Sequence, residues 1–175
     1  VSIEHIHDTN GEDGACSVCG YKVMDLANSL RDPNLATLKS DFVAPDGFEN
    51  VYYYSETTGG GTNNCFIKHT LNGLNSMSEI KFAVRDTTAV KTILYIATSS
   101  GAQKSQNRVV NTSTYWNFDD AFITFTFTKV EEGHWTVVDN FNNTSMDIYP
   151  TDSYLWNVLS FLTSNGFYFT EILYK

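Results

Sequence analysis

From Phe48 to the end of the chain, hydrophobic and polar residues alternate in short runs broken by turn residues. The sharpest run is Ala121–Thr128. Ile123, Phe125 and Phe127 fall on one side of an extended backbone there, and Thr124, Thr126 and Thr128 on the other. A period of two carried by β-branched and aromatic residues predicts a strand with one face in a core, because a helix would scatter those phenylalanines around its axis. The same reading predicts strands at Val51–Thr57, Cys65–Leu71, Glu79–Asp86, Lys91–Thr98, Arg108–Thr114, Ala121–Val130, His134–Asp139 and Phe167–Tyr174. Turn signals separate them, at Gly59-Gly60-Gly61, Asn72-Gly73, Ser99-Ser100-Gly101 and Glu132-Gly133. Strands at this spacing, with no helices alternating among them, predict an all-β antiparallel sandwich of jelly-roll type rather than a parallel α/β sheet. The last strand has bulky residues on both faces, which places it inside a sheet rather than at an edge. Trp135 alternates with Val137 and is assigned to the core, and Tyr52, Tyr53 and Tyr54 must divide between two faces.

Two stretches carry a helical period instead. Met24, Leu26, Ala27 and Leu30 share one stripe, and Pro33 restarts the pattern with Asp32 as N-cap before Leu35 and Leu38. In Ser153–Leu162, the positions Leu155, Val158, Leu159 and Leu162 predict a short helix over one end of the sandwich. The expected organisation is a Cys/His knuckle over 1–22, a helical linker over 23–47 and the sandwich domain over 48–175.

Charge narrows the partners. The 11 Lys and Arg stand against 20 Asp and Glu, a net charge of −9 that repels a phosphate backbone or an anionic membrane. A neutral ligand is indifferent to it. No run of 18 apolar residues exists, so no membrane-spanning helix is expected. The chain begins at Val1 with neither an initiator Met nor a signal peptide, the pattern expected of a fragment or processed product.

The strongest local motif is His7 followed, eight residues on, by Cys16-Ser17-Val18-Cys19-Gly20. A Cys-x2-Cys turn presents two sulfurs to one ion, and His7 and His5 supply third and fourth ligands for a tetrahedral site, with structural zinc as the candidate cofactor. A disulfide between Cys16 and Cys19, or two free thiols, are the alternatives. Asp8, Asn10 and Glu12 start like a calcium loop, but Asp13 stands where that loop needs Gly and Cys19 where it needs the closing Glu. Cys65 and His69 lie about 13 Å apart on a strand, at about 3.3 Å per residue, too far for a nucleophile and its base. Asp119-Asp120 and Glu131-Glu132 invite a glycosidase reading, but they are adjacent pairs at strand ends or turns, where neighbours on a strand point to opposite faces and solvated acids are common, which argues against a hydrolytic pair. No catalytic residue is assigned.

Aromatic residues remain. Tyr115, Trp116, Tyr149, Tyr154 and Trp156 fall in loops or at strand ends. A flat ring face suits the C–H side of a pyranose, and neighbouring amides and carboxylates take its hydroxyls. Trp116, Tyr115 and Trp156 are the candidate stacking residues, with Asn117 and Asp119 as polar partners.

The spacing His7-x8-Cys16-Ser17-Val18-Cys19-Gly20 resembles short segments that recur between modules of surface proteins in Gram-positive gut bacteria. The region from about Trp116 onward is similar to carbohydrate-binding sandwiches of such proteins. The shared features are Phe122–Thr128, then Glu132-Gly133-His134-Trp135-Thr136-Val137, Leu155–Leu162 and Phe169-Thr170-Glu171-Ile172. The likeness implies an extracellular, cell-surface module that binds polysaccharide, starch included, without catalysis, beside other modules of a larger protein. No nucleic acid and no membrane insertion are expected. The alternatives are a protein-binding adhesion or assembly module and, third, a glycoside hydrolase.

Overall fold

The computed structural model describes residues 5–30, 33–55, 65–68, 76–86, 91–97, 116–117, 121–140, 145–148, 158–162 and 167–175, with only the backbone course at 65–68, 91–97, 116–117 and 158–162 and at Asp86, Met146 and Ile148. The chain is all-β and antiparallel. In order come β1 (Lys22–Val23), the four-residue helix α1 (Leu26–Ser29), β2 (Ala36–Leu38), β3 (Val51–Tyr54), β4 (Cys65–Lys68), β5 (Glu79–Asp86) and β6 (Lys91–Ala97). They are followed by β7 (Trp116–Asn117), β8 (Ile123–Glu131), β9 (His134–Asp139), β10 (Ser145–Ile148), β11 (Val158–Leu162), β12 (Phe167–Thr170) and β13 (Leu173–Tyr174). One sheet runs β10-β9-β8-β5-β12-β3-β2, with β13 pairing both β5 and β1, and a four-stranded sheet runs β4-β11-β6-β7.

The alternation in β8 does what the sequence pattern predicts. Ile123, Phe125 and Phe127 are buried, while Thr124 and Thr126 are half-exposed and Thr128 is exposed. Phe82 of β5 stands opposite Phe125 in register and stacks on Phe127, with ring centroids 5.9 Å apart. Trp135 and Val137 of β9 join the same core, as do Phe167 and Phe169 of β12. The tyrosine triplet divides as expected. Tyr52 and Tyr54 meet Phe169 and Phe167, whereas Tyr53 turns to Tyr168 on the other face. β12 lies between β5 and β3, an interior position that explains the bulk on both of its faces.

Residues 158–162 are a correction. They form β11, paired with β4 on one side and β6 on the other, and not the helix that the Leu155/Val158/Leu159/Leu162 spacing predicts. A strand flanked by neighbours on both edges tolerates apolar residues on both faces, and Val158–Leu162, apolar except for Ser160, imitates helical spacing. Residues 153–157 lie outside the described residues, as do the predicted strand 108–114 and the Gly59–Gly61 and Asn72-Gly73 turns. In the segment after the knuckle, the cap of α1 is Asp25, whose carboxylate accepts the Ala27 N–H at 3.0 Å. Met24 and Leu30 enter the core from this segment, and Ala36–Leu38 pairs with β3 as a strand.

The opposite face of the large sheet carries a smaller cluster of Phe48, Ala83 and Leu173, flanked by Tyr21, Ala44 and Phe122. Its loop, residues 43–50, is pinned by Glu171. That carboxylate is 2% exposed and accepts the backbone N–H groups of Glu49 and Asn50 at 3.0 and 3.1 Å. Burial pushes the Glu171 carboxyl above its usual range, and the N–H donors only partly offset this. A folded-state pKa above the unfolded value means the native state holds the proton more tightly. The Glu171 contribution to stability is therefore present at low pH and declines as pH rises through the raised pKa. The stability difference between wild type and Glu171→Gln, read by urea unfolding, should then move in favour of wild type as pH falls from 7 to about 5. A difference that stays flat would show that the burial of Glu171 does not govern its ionisation.

Candidate metal centre

Residues 5–22 fold into a knuckle through local geometry. Gly20 donates its N–H to the Cys16 carbonyl at 2.9 Å and has φ of 78°, a left-handed conformation that a side chain would strain. Gly11 is needed for another reason: its N–H meets the Ala15 carbonyl at 2.8 Å, and a Cβ there would stand 2.8 Å from that same oxygen. Asp8 ties the two arms together. Its Oδ1 accepts the N–H groups of Asn10 and Ser17, each at 2.9 Å, and its Oδ2 accepts the Ser17 hydroxyl at 2.6 Å. The Ser17 hydroxyl, and then the two N–H groups, hold the Asp8 carboxyl down at about 2.

These turns bring His5, His7, Cys16 and Cys19 together. One ligand atom from each lies within 4.8 Å of all the others. His5 Nε2 stands 3.3 Å from Cys16 Sγ, and His7 Nδ1 stands 3.3 Å from Cys19 Sγ. A tetrahedron with arms of about 2.3 Å to sulfur and about 2.05 Å to nitrogen has a sulfur–nitrogen edge of about 3.6 Å. The four residues can therefore hold a metal ion. Cys16 and Cys19 are free thiols, not a disulfide.

The surroundings suit coordination as well as the donors do. Burial opposes ionisation of Cys16, but backbone N–H groups of Cys19, Val18 and Asp8 and the His7 side chain outweigh it and draw the thiol down to about 5. Burial pushes the Cys19 thiol up. His7 Nε2 lies 3.3 Å from the Gly47 carbonyl, which accepts only from a protonated nitrogen. That contact fixes the tautomer and leaves Nδ1 as the lone-pair donor facing Cys19, the usual second contact of a metal-bound imidazole. The His7 backbone N–H donates to the Glu49 carboxylate. The knuckle is fastened to the sheet on its other side too. Tyr21 donates its hydroxyl to Glu79 at 2.7 Å, Lys175 Nζ stands 4.4 Å from the Tyr21 ring centroid, and β1 pairs with β13.

Comparison with known protein families, with curated proteins and with solved structures finds no match to this chain. The chemistry is read from its own residues.

Every predicted metal ligand is thus brought to one point. The predicted ligand-binding residues are placed differently. Trp116 and Asn117 form β7, whose backbone pairs with Thr92 and Lys91 at the edge of the four-stranded sheet. Their side chains, and Tyr115, Asp119 and Trp156 entirely, lie outside the described residues. Trp135 is 0% exposed and offers no ring face. Glu131 and Glu132 are exposed at the β8–β9 hairpin. Gly47 and Glu49, which support His7 from 40 and 42 residues away, carry no spacing signal that would link them to the motif. A Pro45-Asp46-Gly47 turn is legible in the sequence, but its destination is set by the tertiary fold.

Proposed function

We propose that this chain is a non-catalytic binding module whose N-terminal segment is fixed by a structural zinc ion, and that its ligand is polysaccharide, starch among the candidates, at a bacterial cell surface. The observation that carries the zinc half is the convergence of two imidazoles and two thiols within 4.8 Å, with backbone N–H groups aimed at the Cys16 sulfur. Two sulfurs and two nitrogens in a tetrahedral set suit zinc over oxygen-seeking calcium or magnesium. Four protein donors fill that set, which favours a structural role over a catalytic one. When bound, the ion would supply a cross-link between the two arms of the knuckle. The remaining work falls to the protein: His7 is oriented by Gly47 and the Cys16 thiolate is stabilised by N–H groups.

The polysaccharide half rests on the aromatic segments around Tyr115, Trp116 and Trp156, with Asn117 and Asp119 to take hydroxyls. A protein-binding reading has one observation in its favour. Ile6 and Val43, 80% and 89% exposed, line the same cleft beside the knuckle.

The tests are direct. Elemental analysis of reduced, unchelated protein should find one zinc per chain, and its absence removes the metal assignment. Affinity electrophoresis on starch, xylan and mucin gels should retard wild type on at least one polysaccharide. Trp116→Ala and Trp156→Ala should each weaken that retardation, because each removes a ring face. No retardation on any of the gels would count against a polysaccharide ligand and leave the protein-binding reading standing.

A further inference from the structure

The four donors are not equally supported. Cys16 receives several backbone N–H groups, Cys19 receives the N–H of Tyr21, and His7 is held through Gly47. His5 differs. Its Nε2 faces Cys16, but its Nδ1 is buried with no hydrogen-bond partner among the described residues. A ligating imidazole normally donates its second N–H to a carbonyl or carboxylate, and that contact sets ring orientation and basicity. Coordination through Nε2 leaves the His5 Nδ1–H buried with no partner among the described residues, which offsets part of what the bond contributes.

His5 also forms a wall of a cleft of about 370 Å³, whose other walls include Ile6, Val43, Asp46, Phe48 and Glu49. That volume falls within the range of small-molecule pockets. Ile6, Val43 and Phe48 give the cleft apolar surface within a lining that is otherwise largely polar; Asp46 and Glu49 add two carboxylates and the chain has a net charge of −9, so an anionic donor is disfavoured.

We propose that His5 is the exchangeable donor of the metal centre, and that the adjacent cleft admits a small molecule bearing a neutral nitrogen donor, of which imidazole is the simplest, to take its place. This rests on the zinc reading above. His7, Cys16 and Cys19 retain the ion while His5 swings aside, so exchange does not require release of the metal. Ile6, Val43 and Phe48 receive the body of the incoming molecule, and its lone pair occupies the position that His5 Nε2 vacates. No bond within the protein is made or broken.

Cobalt(II) in place of zinc makes the exchange visible, because its d–d bands respond to the donor set. In reduced wild-type protein, added imidazole should shift the visible bands while the thiolate charge-transfer band persists, and azide should leave both unchanged. His7→Ala should weaken cobalt binding more than His5→Ala does, because only His7 has a second contact that fixes its ring for coordination. Imidazole should restore the affinity and bands of His5→Ala but not those of His7→Ala. The inference is overturned if imidazole leaves the wild-type bands unchanged, if it rescues neither variant, or if it rescues both alike. Azide acting as strongly as imidazole overturns the stated ligand class. Wild-type protein that takes up no cobalt defeats the zinc reading itself, and this inference with it.

Discussion

Trp135→Ala should lower the unfolding free energy by about 3–5 kcal/mol, the usual cost of truncating a large buried aromatic. The indole is 0% exposed and sits on β9 between Lys129 of β8 and Ile148 of β10 in register. Its face of the sheet carries Phe82, Phe125, Phe127 and Phe169, all 0% exposed, so little mobile surface is at hand to collapse into the gap. Dense interiors relax only in part, and the cavity adds to the lost transfer energy. Val138→Ala is the control. Val138 follows Val137 on the same strand but points outward, and its loss should cost about 0.5 kcal/mol or less. Equilibrium urea unfolding measures both. If the Trp135 variant is destabilised by less than about 1 kcal/mol, the assignment of this face as the organising core is wrong.

The second large effect is local. Chelation of the zinc-loaded protein should raise amide hydrogen exchange about 1,000-fold over residues 7–20 and 47–50, while β5, β8 and β9 stay protected. Free metal at about 1,000 times its dissociation constant stabilises the state that binds it by about 4.1 kcal/mol, a factor of about 1,000 in the opening equilibrium. Exchange reports that equilibrium segment by segment. The effect should stay confined because the knuckle contributes none of the buried residues of the main core, whose first member in the chain is Met24. It should reach residues 47–50 because His7 bonds Gly47 and Glu49. Uniform loss of protection through β8 and β9 would show instead that knuckle and sheet unfold as one unit. No change anywhere would show that the ion supports neither segment.

How much of this was legible depended on whether a residue's environment was set nearby or far away. The β8 alternation was readable because its two faces meet different media, core and solvent, and the residue types record that division. The Cys16-to-Gly20 turn was readable because ligation by two sulfurs and the left-handed glycine after them are local requirements. β11 is not legible because an interior strand that is apolar except for Ser160 shows no alternation by which to tell it from a helix. β1 and β2, of two and three residues, leave no period at all. Their extended form follows from pairing with Leu173–Tyr174 and Tyr52–Tyr54, partners about 150 and 16 residues on in the sequence. The Gly47 carbonyl belongs to the same class, since nothing in its own neighbourhood announces a histidine 40 residues earlier.

The pairing of Lys22 with Tyr174 and of Val23 with Leu173 has a mechanical consequence. The two strands run antiparallel and their outer ends lie at the same end of the ladder. Tension applied to the chain before Lys22 and after Tyr174 would therefore peel the rungs one after another, with no row of bonds loaded together in shear. On the N-terminal side, a metal bridge from His5 and His7 to Cys16 and Cys19 would carry the pull directly and shield the residues between them from extension. The two-rung ladder would open first, while the clasp keeps the residues between its ligands from lengthening.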